Sequence, residues 1–289
     1  MANHKLALKE NVEGNFFVDT TCIDCGACRH FSPENFGALG GYSYVHKQPE
    51  NEAEILTSKQ ALLACPVGCI GTTEKTELKS AINSLPRKMA ENIFINGFNH
   101  ENSFGAHSYF IRSEDGNWLA DSPRFTKHLV KKFEELGGIK YIWLSHRDDV
   151  ADAKKYAEHF GAKRIIHKFD SKAQPDAEII LEDDDFTSFK NARIFYVPGH
   201  TKGHLTLLWK DKFLFTGDHF AWLTSKKMFG SFRTACWYSW EEQIKSVERL
   251  KVCEKVEHVF PGHGMWGEVG TGKFPEVIEK AVNWMISVK

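Results

Sequence analysis

The 289-residue chain is short of several things. It has no run of 18 apolar residues, so no segment reads as a bilayer span. Its first ten residues, Met1-Ala-Asn-His-Lys-Leu-Ala-Leu-Lys-Glu10, lack the apolar core and small-residue cleavage site of a secretion signal. It has almost no net charge, a formal -1. That gives no electrostatic case for nucleic acid or an anionic membrane surface. Internal repeats and low-complexity segments are missing as well. These absences predict a cytoplasmic protein with neither membrane nor nucleic-acid partners. The length fits one large domain plus a small one.

Cysteine is unevenly spread. Five of the seven cysteines fall between residues 22 and 69. Without a secretion signal, such a cluster reads as metal binding before disulfides. Cys22-Ile-Asp-Cys25-Gly-Ala-Cys28 is a C-x2-C-x2-C run that wraps three thiolates round one face of a cube-shaped cluster. In the run C-x2-C-x2-C-x3-C-P, the fourth cysteine serves a second cluster. Here that position is Ser32, followed by Pro33. The remote Cys65-Pro66 then supplies the fourth thiolate of a single cluster. A second C-x2-C-x2-C set is absent. Cys69 reads as a buried spare thiol, or as the fourth ligand in place of Cys65. This region resembles the single-cluster [4Fe-4S] bacterial-type ferredoxins; the alternative is a structural zinc site.

The chain divides into residues 1–75, a connector over 76–91, and residues 92–289. Asn15–Asp19 reads as a strand and Lys59–Ala64 as a short helical turn. Leu78, Ile82 and Leu85 share one face of a helix predicted over Thr76–Glu91, which would dock the small unit on the large one. In the third region, strands are predicted at 93–98, 107–112, 117–121, 140–144, 164–167, 179–181, 192–197, 205–209, 213–216 and 258–260. Helices are predicted at 125–136, 150–160, 241–253 and 274–286. Residues 221–240 read as a long aromatic loop, and Glu182–Asp185 as a solvated acidic turn. Strands with interspersed helices predict an α+β class of stacked, helix-covered sheets.

Four turns share one design, an apolar strand ending in a polar turn that carries His or Asp. They hold His146, His200, Asp218 and His263. Pro198-Gly199 and Pro261-Gly262 break their strands sharply. Strand ends of one sheet edge lie close together, so the four can converge. Imidazole with carboxylate suits Zn²⁺ or non-haem iron.

Pro198-Gly-His200-Thr-Lys-Gly-His204, Phe215-Thr-Gly-Asp218, Phe260-Pro-Gly-His263 and Asp121 resemble the metallo-β-lactamase superfamily, closest in style to its glyoxalase II-like branch. The resemblance implies a four-layer αββα sandwich with a metal site at one sheet edge. It implies that His200 and His263 are ligands and that Asp218 bridges two metals. Asp121 would order the surroundings, and His204 would be structural. The family's H-x-H-x-D-H loop reads His146-Arg147-Asp148-Asp149-Val150-Ala151 here. His146 survives, Asp148 stands for the second histidine, and Val150 and Ala151 cannot bind a metal. The expected centre is therefore one zinc or iron ion on His146, Asp148 and His200, with Asp218 and His263 as ligands or catalytic groups. Asp149 and Asp152 are near enough to enter the vacancy, and an empty, purely structural site is the alternative. The resemblance implies a hydrolase for an ester- or thioester-type small molecule, with the cluster serving electron transfer or redox control. The competing expectation is a redox protein, paired with a redox partner, whose large domain is iron-bound or a degenerate ligand-binding module. The flavodiiron branch, with H-x-E-x-D at the same loop, gives the iron version. Trp237, Tyr238 and Trp240 would wall the pocket.

Overall fold

The computed structural model describes residues 2–182, 185 and 189–288. Asp183 and Asp184 of the acidic turn lie outside the described residues. Asp185 is described, and it pairs with Arg249 at 3.1 Å.

In the small unit, Phe16–Val18 pairs antiparallel with Ile70–Thr72. Between them come a one-turn helix, Ala27–Phe31, a hairpin, Phe36–Leu39 with Tyr42–Val45, and a helix, Glu52–Ala64. That last helix starts about two turns earlier than the Lys59 at which sequence reading begins it. Asn51 caps it, its side chain accepting from the Glu54 N–H at 3.0 Å. Ser32, in the place of a second cluster's cysteine, is buried. Its hydroxyl donates to Asn35 Oδ1 at 2.8 Å and lies 3.3 Å from Ser58 Oγ. A hydrogen-bonded polar knot fills the space.

The connector departs from expectation. Only Lys79–Asn83 is helical, and Arg87–Ala90 is a strand paired with Ile93–Ile95. Pro86 supplies no N–H to continue a helix, and a free sheet edge satisfies the next backbone groups instead. Arg87 then reaches the small unit, donating to Phe31 O at 3.1 Å and Gln60 Oε1 at 3.0 Å. Arg124 donates to Leu63 O at 2.8 Å from the other side.

The large unit holds two mixed sheets. The first runs Ile179–Leu181, Lys163–His167, Tyr141–Trp143, Trp118–Ala120, Tyr109–Ile111, Ile93–Ile95, Arg87–Ala90. The second runs Ala192–Tyr196, Leu205–Trp209, Phe213–Gly217, His258–Pro261, Gly267–Glu268. Tyr109 bridges them, 5.5 Å from Phe215 and 5.3 Å from Phe260 between ring centroids. Helices Lys127–Glu135 and Ala153–Phe160 cover the first sheet, where Phe133 stacks on Phe110. Helices Trp240–Arg249 and Phe274–Ser287 cover the second with a separate apolar core. This is the αββα sandwich. The stretch 221–240 is not one loop. It contains the hairpin Ala221–Leu223 with Met228–Gly230, formed because its apolar side packs on the last helix near Trp284. Among the described residues, no helix is long and apolar enough to cross a membrane.

Topology gathers the site. Ala192–Tyr196 and Phe213–Gly217 are each antiparallel to Leu205–Trp209, and Phe213–Gly217 is parallel to His258–Pro261. The three strands that precede His200, Asp218 and His263 therefore end at the same edge.

Candidate metal centre and iron–sulfur cradle

His146 enters from the first sheet. Its Nδ1 lies 2.9 Å from Ser145 Oγ, which leaves Nε2 for a ligand. Asp121, at a left-handed φ of 53°, accepts from the Ser145 N–H at 2.8 Å and pins that loop. Gly217 permits the approach of the second sheet, because a Cβ there would lie 2.5 Å from Ser145 Cβ. His200 is held by its turn. Thr201 Oγ1 donates to the buried Asp170 at 2.5 Å, a support that sequence reading missed because Asp170 has no motif. His204 accepts from the Asp218 N–H at 3.3 Å and stacks on His146.

The expected donors meet. His146 Nε2 and His200 Nε2 are 3.2 Å apart. Asp218 Oδ2 lies 3.8 Å from His146 Nε2, 3.7 Å from His200 Nε2 and 3.8 Å from His263 Nε2. Asp148, half-exposed, stands 3.8 Å from His146 and 4.0 Å from His200. Asp152 does not join them. It accepts from the Phe125 N–H at 2.8 Å and pairs with Lys155.

Asp149 does join. It ends the tight turn Arg147–Asp149, is 2 % exposed, and its Oδ2 has no hydrogen-bond partner. That oxygen is 4.0 Å from His146 Nδ1 and belongs with His146 and Asp218 to one group of close donors. An orphaned, buried carboxylate oxygen costs free energy unless a cation or proton meets it. Asp149 thus stands where Val150 leaves the family loop short.

The electrostatics agree with a cation site. Burial, then the Asp218 charge, holds the Asp149 carboxyl well above the usual range. Burial likewise raises Asp121 to about 8 and also raises Asp148. Burial would raise Asp218 too, but His263, His200 and His146 hold it below the ordinary value. His146 is pushed down to about 3, first by burial and then by His200. A His146 imidazole kept from protonation and crowded carboxylates are what a divalent ion needs. Two imidazoles with oxygen donors fit zinc or iron.

Of the aromatic residues, Trp237 lies 6.1 Å from the His200 ring and is exposed, as is Tyr238. Trp240 does not wall the site. It is buried against the last helix, its indole N–H donating to Met285 O.

In the small unit, Cys22, Cys25, Cys28, Cys65 and Cys69 line a single cavity with Val18, Ile23 and Ile70. Gly26, at φ 81°, starts the helix that turns Cys28 inward. Backbone N–H groups of Asp24 and Ser43 point at Cys22 Sγ, and that of Cys69 at Cys65 Sγ. Such donors stabilise cluster thiolates. Hydrogen bonding from Cys69 holds Cys22 at about 6 and Cys65 at about 7. Burial pushes Cys25 and Cys28 up to about 12. Cys69 is buried as expected, but not remote, its Sγ lying 3.4 Å from Cys65 Sγ. An enclosed, thiol-lined cradle fits a cluster.

Residues 89–276 match the family model described as "Metallo-beta-lactamase superfamily". The chain belongs to the metallo-beta-lactamase superfamily. Residues 18–72 match "4Fe-4S single cluster domain of Ferredoxin I", so this superfamily member carries an N-terminal [4Fe-4S] domain. It is 29 % identical over 147 residues to a hydroxyacylglutathione hydrolase of Pelagibacter ubique, covering 49 % of this chain and 59 % of that protein. A second such hydrolase, from Maricaulis maris, is 29 % identical over 140 residues, 46 % of this chain and 55 % of that one. The chain thus spans little more than half the length of these relatives. The solved metallo-beta-lactamase of Hirschia baltica shares the fold, with TM-score 0.54, 15 % identity and coverage of 68 % and 95 %.

Proposed function

We propose that this metallo-beta-lactamase-superfamily chain is a metal-dependent hydrolase of small ester or thioester substrates, with a [4Fe-4S] domain for electron transfer or redox control. The observation that carries it is the meeting of His146 Nε2 and His200 Nε2 at 3.2 Å beside Asp218. The hydroxyacylglutathione hydrolase relatives support a thioester over other acyl groups. His146, His200 and Asp148, with Asp218 beside them, would hold a zinc or iron ion, and Asp149 and Asp218 form a second group of oxygen donors next to His146. When bound, the ion supplies a water of lowered pKa and polarises an acyl oxygen. Asp218, with Oδ2 3.8 Å from His146, 3.7 Å from His200 and 3.8 Å from His263, would be a ligand or would orient that water. His263, the most exposed of the histidine donors, is placed to hand a proton to the leaving group. Trp237, its ring 6.1 Å from that of His200, would stand at the edge of the substrate cleft.

The test is anaerobic purification with metal analysis and thioester assays. About four irons per chain for the cluster plus further zinc or iron, with turnover lost in His200→Ala, is expected. Cluster iron alone, or turnover that survives His200→Ala, would overturn the reading. A redox protein without hydrolysis remains the second reading, favoured by the close approach of the Gly105 backbone to Cys25. Iron in both sites and no acyl substrate would select it.

A further inference from the structure

Residues 99–107 belong to the large unit but are wedged between the two candidate cofactor sites. One side meets the cluster cradle. Gly105 sits at φ 82°, and a Cβ there would lie 2.9 Å from Cys25 Sγ, Cys25 Cβ and Pro66 Cγ. No side chain fits, so bare backbone packs on a candidate cluster ligand. The other side meets the His263 turn. The ring of Phe104, itself left-handed at φ 48°, is centred 6.0 Å from that of His263. The His107 N–H donates to Gly262 O at 2.7 Å. The segment is tied to itself, Asn99 Nδ2 donating to Gly105 O at 2.7 Å and lying 3.2 Å from His107 Nδ1.

A second route leaves from Cys28. Helix Ala27–Phe31 carries both Cys28 and His30. The buried His30 ring is centred 4.1 Å from the buried His107 ring, and it faces the backbone of Gly264. The two routes start on different cysteines and end on either side of His263. General docking of the units is already supplied by Arg87 and Arg124.

We propose that this wedge couples the cluster to the metal centre, so that metal binding and one-electron reduction of the cluster shift each other's equilibrium. The proposal rests on the two cofactor assignments above. The cluster takes one electron from an external one-electron donor protein, passing from [4Fe-4S]²⁺ to [4Fe-4S]⁺, and the metal ion keeps its oxidation state. The added charge sits in a buried, weakly screened setting. The wedge passes on the small rearrangement that this charge causes, because close-packed interiors transmit strain. Coupling between two binding equilibria is reciprocal.

The test uses the full chain with its cluster, stripped of metal at the second site and then reloaded with zinc alone. The cluster potential is read by electron paramagnetic resonance during anaerobic titration. Zinc is expected to raise it. Zinc should also bind more tightly to reduced than to oxidised protein, and a tenfold difference corresponds to about 59 mV. Phe104→Ala, an exposed position that should fold normally, is expected to leave the zinc-free potential unchanged and to shrink the shift. A potential indifferent to zinc in the unaltered protein would overturn the proposal. Neither readout involves turnover. A chain that shows the shift but hydrolyses nothing loses the hydrolase reading and keeps the coupling. A chain that hydrolyses with an unmoved potential does the reverse, and one that takes up no zinc loses both.

Discussion

His146 and His200 are 54 residues apart in sequence, and their Nε2 atoms are 3.2 Å apart in the fold. Two imidazole nitrogens at about 2.0–2.1 Å from one tetrahedral ion would be about 3.3–3.4 Å apart. The pair is therefore spaced as co-ligands. His146→Ala and His200→Ala should each weaken metal binding by about 100-fold or more. Calorimetric zinc titration of the stripped protein measures this. Equal affinity in either variant would remove that residue from the centre.

Asp149 and Asp152 lie within one turn of each other and have different fates. Asp149→Asn should lower the metal content or affinity of the second group while leaving the cluster spectrum intact. Asp152→Asn should leave metal content unchanged and cost about 1.5–3 kcal/mol at most, the scale of a hydrogen bond to a charged group. Metal content by mass spectrometry of native protein separates them. Identical stoichiometry in wild type and Asp149→Asn would show that the buried carboxylate is merely protonated.

Gly262 gives a steric test without changing a donor. A Cβ there would stand 2.8 Å from Asp218 Oδ1 and 2.9 Å from Asp149 Oδ2. Gly262→Ala should push the carboxylates apart and reduce metal affinity by about tenfold or more, with the fold retained. Circular dichroism and metal titration together check it, and unchanged affinity would mean that the carboxylates do not set the site.

Among the cysteines, Cys25→Ala should lose the cluster's absorbance on anaerobic purification. Cys69→Ala should retain it, because Cys22, Cys25, Cys28 and Cys65 still frame the cavity. Loss of the cluster in Cys69→Ala and its retention in Cys65→Ala would reverse the assignment of the fourth ligand.

Acid should loosen the junction of the two units. Burial, then the Arg87 charge, pushes His30 down to about 3, against about 6.5 in an unfolded chain. Between those values the unfolded state takes a proton that the folded state refuses. Stability therefore falls as pH drops through that window, by up to about 1.4 kcal/mol per pH unit. Denaturant unfolding at pH 7.5, 6.5 and 5.5 should show a shallower loss in His30→Gln than in wild type. Parallel curves would show that His30 does not contribute.

The strands and the four ligand turns were legible because their signals are local. An apolar run followed by Pro-Gly-His or Thr-Gly-Asp states its own conformation, and the cysteine spacing states its own chemistry. The strand Arg87–Ala90 was not legible, because Arg-Lys-Met-Ala carries no β-branched or aromatic residue and only the open edge beside Ile93–Ile95 makes it a strand. The hairpin inside 221–240 depends in the same way on the last helix. Trp240 looked like its neighbours Trp237 and Tyr238, and only the helix it starts turns it inward.

The sequence alone determined which donors exist: thiolates in one cradle, imidazoles and carboxylates at strand ends. It also showed that Val150 and Ala151 are lost as ligands. Tertiary structure decided which donors meet. Two sheets closing at Gly217 bring His146 to His200, and the turn at Arg147–Asp149 buries Asp149 where its carboxylate needs a cation. The physical reason is range. Spacing along the chain governs a loop or a cradle, but burial, which makes a carboxylate demand a partner, is set by segments far away in sequence.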